Sequence, residues 1–245
     1  MWLFNSSIGK KVLMSVSGIF LVLFLIFHAC MNFVAVFSLK AYDVVCGFLG
    51  ANWYAVVGTM VLAGGFLLHI CVAFWLTLTN QKARGDEYAI ANHAPGVSFA
   101  SKNMLPLGII VLVGLFLHFY MFWSKMMLAE LIEADKQAFT IAGIAVNAGA
   151  AEGGKFLLYY FSQPVVVVGY IIWLGAIWCH LNHGFWSALQ TMGLNNDIWM
   201  KRLKLIATIF TSVVVGAFAF VVLYMCFIAN MGFDFVTDYL QAKYM

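Results

Sequence analysis

The sequence predicts an all-α integral membrane protein with five transmembrane helices, and three observations carry that prediction. Hydrophobic residues make up 64% of the 245 and charged residues only 9%, whereas soluble domains carry roughly 25% charged residues. Five apolar stretches, residues 12–39, 53–79, 104–128, 165–189 and 203–229, are each long enough to cross a hydrocarbon core of about 30 Å. Aromatic pairs such as Trp53-Tyr54 and Tyr159-Tyr160 lie near the ends of these stretches, where amphipathic rings anchor helices at the water interface.

The first stretch follows Lys10-Lys11 and outlasts the apolar core of a signal peptide. No small-residue cleavage pattern follows it, so it is expected to be a span of the mature protein. Five spans put the termini on opposite sides. A cytoplasmic N-terminus gathers Lys10, Lys11, Lys82, Arg84, Lys102, Lys201, Arg202 and Lys204 inside, against Lys40, Lys125, Lys136, Lys155 and Lys243 outside, which satisfies the positive-inside rule. The membrane expected from this reading is a bacterial cytoplasmic membrane. The polar inner loop 80–102 contains His93 and Pro95 and reads as exposed. The outer connection 130–163 is the longest, and its Ala/Gly-rich middle, 138–151, reads as an interfacial helix or a loop. One domain is expected, with no internal repeat. A net charge of +3 is small and scattered, which argues against nucleic acid as a partner.

The five cysteines lie singly, with no C-x-x-C pair. Disulfides and structural zinc are therefore not expected, and covalent attachment of a c-type haem is excluded.

Each of the first four spans carries histidine at membrane depth: His28, His69, His118, and the pair His180 and His183. An imidazole inside an apolar helix costs free energy unless something binds it. At 1.5 Å per residue, His28 lies about 25 Å beyond Lys11 and His118 about 24 Å beyond Lys102. Counted from the other side, His69 lies about 24 Å past Trp53 and His180 about 24 Å past Pro164. Two levels follow, His28 with His118 toward the outside and His69 with His180 toward the cytoplasm. Two neutral imidazoles facing each other at one depth can hold a flat prosthetic group from both sides, as a bis-histidine haem requires. The reading is a bundle of the first four helices around two stacked b-type haems.

Interhelical hydrogen bonding explains any single histidine equally well, but four residues in two matched levels favour the haem reading. His183 lies three residues after His180 on nearly the same helix face. Either could be the ligand; depth favours His180, leaving His183 as partner for a haem propionate or a quinone. Gly58, Gly64, Gly65, Gly108, Gly114, Gly169 and Gly175 suit close helix contacts around a macrocycle, and ordinary packing predicts them equally well. No span carries Asp or Glu in its middle. Asp43 and Glu130 are the acids nearest the outer level and the candidates for exchanging protons with a quinone there.

Two segments carry a family resemblance. The run Phe24-Leu25-Ile26-Phe27-His28-Ala29-Cys30-Met31-Asn32 resembles an F-L-x-x-H-x-x-x-N segment. His180-Leu181-Asn182-His183-Gly184-Phe185-Trp186-Ser187 resembles an H-x-x-x-G-[hydrophobic]-[Trp/Tyr] segment. Both belong to the di-haem cytochrome b anchor subunit of succinate dehydrogenases and menaquinol:fumarate reductases, and the likeness extends over essentially the whole chain. The resemblance implies His69 and His180 on the haem nearer the hydrophilic subunits and His28 and His118 on the distal haem. It also implies an FAD-carrying flavoprotein and an iron–sulfur subunit on the cytoplasmic face, with a quinone, expected to be menaquinone, near the distal haem. This chain itself shows no dinucleotide fingerprint and no cysteine cluster, so succinate and fumarate would react elsewhere in such a complex. Rival readings are a quinol-oxidising di-haem anchor of the nitrate reductase or hydrogenase type, and a haem-free transporter or channel subunit whose histidines line a pathway.

Overall fold

A computed structural model describes residues 6–50, 52–83, 99–194 and 196–242. His93, Pro95 and most of the inner loop lie outside the described residues. Among those described, five helices are long and apolar enough to cross a membrane: Ser7–Phe37, Trp53–Lys82, Met104–Trp123, Pro164–Thr191 and Ile198–Met231. They belong to α1 (Ser7–Phe37), α3 (Trp53–Ala83), α4 (Met104–His118, continued by a π-helical turn Phe119–Trp123), α7 (Pro164–Thr191) and α8 (Asp197–Met231).

Local chemistry sets several boundaries. The Ser6 hydroxyl accepts from the Gly9 N–H at 2.9 Å and starts α1. Ser38, with φ −161°, is extended and ends that helix two residues sooner than the apolar run suggests; its hydroxyl then caps the short helix α2 (Leu39–Phe48). Pro164 opens α7 in the first turn, where its missing N–H is no loss. Asn196 caps α8 by accepting from the N–H groups of Ile198 and Trp199. That helix stops at Gly232, which takes the left-handed conformation (φ 69°) that side chains with a Cβ resist.

The outer connection differs from the expected helix or loop. It forms a β-hairpin, β1 (Gln137–Ile141) and β2 (Ile144–Ala148), paired antiparallel with Ile141 opposite Ile144. The turn is Ala142-Gly143, both at positive φ, and the hairpin buries Ile141, Val146 and Ala148. Alanine and glycine dominate the composition of this segment and mask its period-two alternation of buried residues. The hairpin, α2, the single-turn helix α5 (Met127–Leu131), α6 (Gly153–Phe161) and the C-terminal α9 (Asp234–Gln241) form a cap over the bundle end opposite the N-terminus. Phe156, Ile141, Leu158 and Met225, four of the most completely buried side chains, lie in and under this cap, and Thr211, also fully buried, lies further along α8.

Below the cap, α1 packs against α3, α7 and α8, while α4 packs against α7 and α8 against α7. Neither α1 with α4 nor α3 with α7 forms an extended seam. The first four spans therefore pack in the order α3, α1, α7, α4; of the three pairs left without an extended seam, α1–α4 and α3–α7 face each other across the interior.

Candidate cofactor site

Those two unpacked pairs carry the histidines. His28 of α1 faces His118 of α4 with ring centres 5.8 Å apart and ring planes at 88°. His69 of α3 faces His180 of α7 at 6.5 Å and 73°. The far level, His28 and His118, lies toward the cap; the near level, His69 and His180, lies toward the face that carries the N-terminus.

The far level is enclosed by rings. Phe24 stacks on His28 at 5.3 Å and Phe218 lies 5.6 Å from it. Phe122 and Trp173 flank His118 at 5.3 and 5.8 Å. The Trp173 indole donates to the Val111 carbonyl at 3.0 Å, and this pose needs Gly114, because a Cβ there would overlap the indole. Phe122 comes inward from the π-helical turn that begins one residue after His118, closed by the Ser124 N–H on the Phe119 carbonyl at 2.8 Å. The Tyr170 hydroxyl sits 3.2 Å from His118 Nδ1. Asn32 lies beside His28, its amide donating to the His28 carbonyl at 2.8 Å and accepting from the Tyr42 hydroxyl at 3.0 Å.

The near level is built from small groups. The backbone at Gly18 lies against His69 and that at Gly108 against His180; a Cβ at either would stand 3.5 Å from the imidazole Cε1. Ser17 Oγ is 3.2 Å from His69 Nδ1. His180 Nδ1 is buried with no hydrogen-bond partner. His183 points elsewhere, packing edge-on against Trp186 at 4.8 Å, over whose ring the Lys204 ammonium sits at 4.8 Å. Its Nδ1 is also buried and unpartnered.

These residues suit a flat metal macrocycle better than a bare ion. Among the described residues no group of three or more His, Cys, Asp or Glu side chains could hold a metal, and two imidazoles are too few for tetrahedral zinc. An iron that brings four porphyrin nitrogens needs two more. With metal–nitrogen bonds of about 2 Å and about 1 Å from nitrogen to ring centre, such an iron sets the two ring centres roughly 6 Å apart. The observed 5.8 and 6.5 Å bracket that separation.

The two acids fall into different settings. Asp43 in α2 accepts from the Gly154 N–H and from the Tyr239 hydroxyl, each at 2.8 Å, and so clasps α6 and α9 to α2. Burial and the neighbouring Asp43 push the Cys46 thiol up to about 12, and burial raises the Tyr42 phenol well above its usual value. Glu130, in α5, lies against Gly50, and its Oε2 is buried without a hydrogen-bond partner.

Of the glycines expected at close helix contacts, Gly65, Gly108 and Gly114 make them, Gly65 beneath the Phe20 ring. Gly58, Gly64, Gly169 and Gly175 have nothing within 4 Å of a built Cβ, so those positions relieve no close helix approach. Gly18, Ser17 and Tyr170 are absent from the sequence-level site. A signal for Gly18 does exist. Gly18-Ile19 stands ten residues before His28, and Gly108-Ile109 ten residues before His118, an echo between the first and third spans that a search for long repeats passes over.

Compared with known protein families, curated proteins and solved structures, the chain matches none.

Proposed function

We propose that this chain is the membrane-anchoring cytochrome b subunit of a succinate:quinone oxidoreductase, and that it holds two b-type haems between its first four spans. One observation carries the reading: two imidazole pairs at two depths, each bridging helices that do not pack on one another. The motif resemblance around His28 and His180 supports the assignment to succinate dehydrogenases and fumarate reductases. When bound, the haems would supply two one-electron carriers stacked across the membrane.

The residues of the chain have separable tasks. His69 and His180 would hold the haem nearer a flavoprotein and an iron–sulfur subunit on the cytoplasmic face, with the N-terminus on that side. His28 and His118 would hold the distal one. Two neutral imidazoles holding each haem would leave oxygen no place to bind. Aromatic rings around the far pair keep water from it. Reduction or oxidation of menaquinone near the far level moves two protons with two electrons. Glu130, with its free buried oxygen, suits that exchange better than Asp43, both of whose oxygens are engaged in the cap. His183 and Lys204 near the inner face would receive a propionate.

A pyridine-haemochrome assay on the purified full chain tests the reading. Two haems b per chain are expected. A colourless protein with no reducible α-band would replace this reading with that of a transporter or channel subunit.

A further inference from the structure

Of the four facing imidazoles, His69 meets a serine hydroxyl that also makes a second contact. Ser17 is 5% exposed, and its hydroxyl donates to the Met14 carbonyl at 3.0 Å. A hydroxyl has a single proton. The arrangement that keeps both the Met14 contact and the one with His69 Nδ1 at 3.2 Å as hydrogen bonds has the imidazole N–H donating and Ser17 Oγ accepting. A neutral imidazole protonated on Nδ1 keeps its lone pair on Nε2.

The third span repeats the local pattern with one change. Gly108 supports His180 as Gly18 supports His69, but the preceding residue is Leu107 where the first span has Ser17. No hydroxyl is offered at that place, and His180 Nδ1 is buried without a partner. At the far level a different hydroxyl, that of Tyr170, meets His118 Nδ1.

We propose that Ser17 is a positioning residue that fixes His69 as the Nδ1–H tautomer with Nε2 free to bind metal, and that Ser17 and Tyr170 tune the two haem levels independently. The redox half of this inference rests on the haem reading; the tautomer half rests on hydrogen bonds alone. An acceptor on the distal nitrogen makes the ligating nitrogen more basic, which favours the oxidised metal. Removal of that acceptor raises the potential of its own level and leaves the other alone.

The test uses the full chain in detergent, labelled with 15N-histidine and reduced, so that bis-histidine iron is diamagnetic. Nitrogen NMR of the wild type should place the His69 proton on Nδ1, and Ser17→Ala should lose the hydrogen-bonded Nδ1 signal. In a redox titration Ser17→Ala should move one of two components upward by about tenfold in its equilibrium, which is 59 mV for a one-electron couple. Ser17→Thr should restore the wild-type value, and Tyr170→Phe should move the other component. A wild-type His69 protonated on Nε2, or a haem-loaded Ser17→Ala protein with both components unmoved, would overturn the inference. A preparation with no haem would instead remove the functional reading, and the tautomer measurement would still decide the role of Ser17.

Discussion

The two histidine levels have the same geometry and opposite surroundings. The far pair is wrapped in aromatic rings and closed by a cap that holds several of the best-buried side chains. The helices that carry the pairs are buried to a similar degree, 17% and 11% of the apolar windows of α1 and α4 against 6% and 22% of those of α3 and α7, so the contrast lies in the groups set around the rings. One site is insulated by packed carbon; the other is held by a hydroxyl, two bare glycine backbones and little else. The difference teaches that equal ring geometry can rest on unlike surroundings. The near level is also the end at which the proposed hydrophilic subunits would dock.

The largest expected effect breaks the symmetry outright. On the proposed haem reading, His180→Ala should remove the near haem and leave the far one, so that the reduced α-band of the purified protein falls by about half; loss of neither haem would refute the pairing. Trimming the aromatic enclosure comes next. Gly114→Ala forces Trp173 off α4 and strains the α4–α7 contact, at a cost of about 1–3 kcal/mol; the far-level spectrum should change while the near level keeps its bands. A third variant separates the cap from the chemistry. Asp43→Ala removes the carboxylate that accepts from the Tyr239 hydroxyl and the Gly154 N–H, and should lower thermal stability by roughly 1–3 kcal/mol without loss of the proposed haems. Unchanged stability with lost quinone turnover would make Asp43 the proton-exchanging acid after all.

The smallest effect is a pH dependence of the cap. The Cys46 thiol is raised from 9.0 to about 12 in the folded chain, so the unfolded chain gives up that proton first. Stability is therefore fully present below pH 9 and declines as pH rises toward 12. Tyr42 shifts in the same sense and adds to the slope. Hydrogen exchange in α2 and α6 should quicken above pH 9, and Cys46→Ala should flatten part of that rise.

The spans and the histidine levels are legible in the sequence because apolar length and the 1.5 Å helical rise are properties of one helix at a time. The end of α1 at Phe37 is not legible, since a single Ser38 between Phe37 and Leu39 does not break the apolar run and its capping role depends on the turn it starts. The hairpin escapes for a related reason, its alternation hidden under Ala and Gly. Hardest of all are Ser17 and Tyr170, ordinary residues whose meaning comes only from the neighbouring helix that brings an imidazole to them.

The π-helical turn after His118 acts as a phase shifter. One residue more than an α-helical turn holds has been accommodated there, and it rotates everything beyond it by about 100° relative to an uninterrupted helix. Phe122, only 8% exposed, lies under Tyr170 and His118, four residues on, the spacing that sets two side chains on one helix face. The shift falls instead on the residues after Trp123, so the chain enters the cap at a phase that the aim of His118 does not dictate.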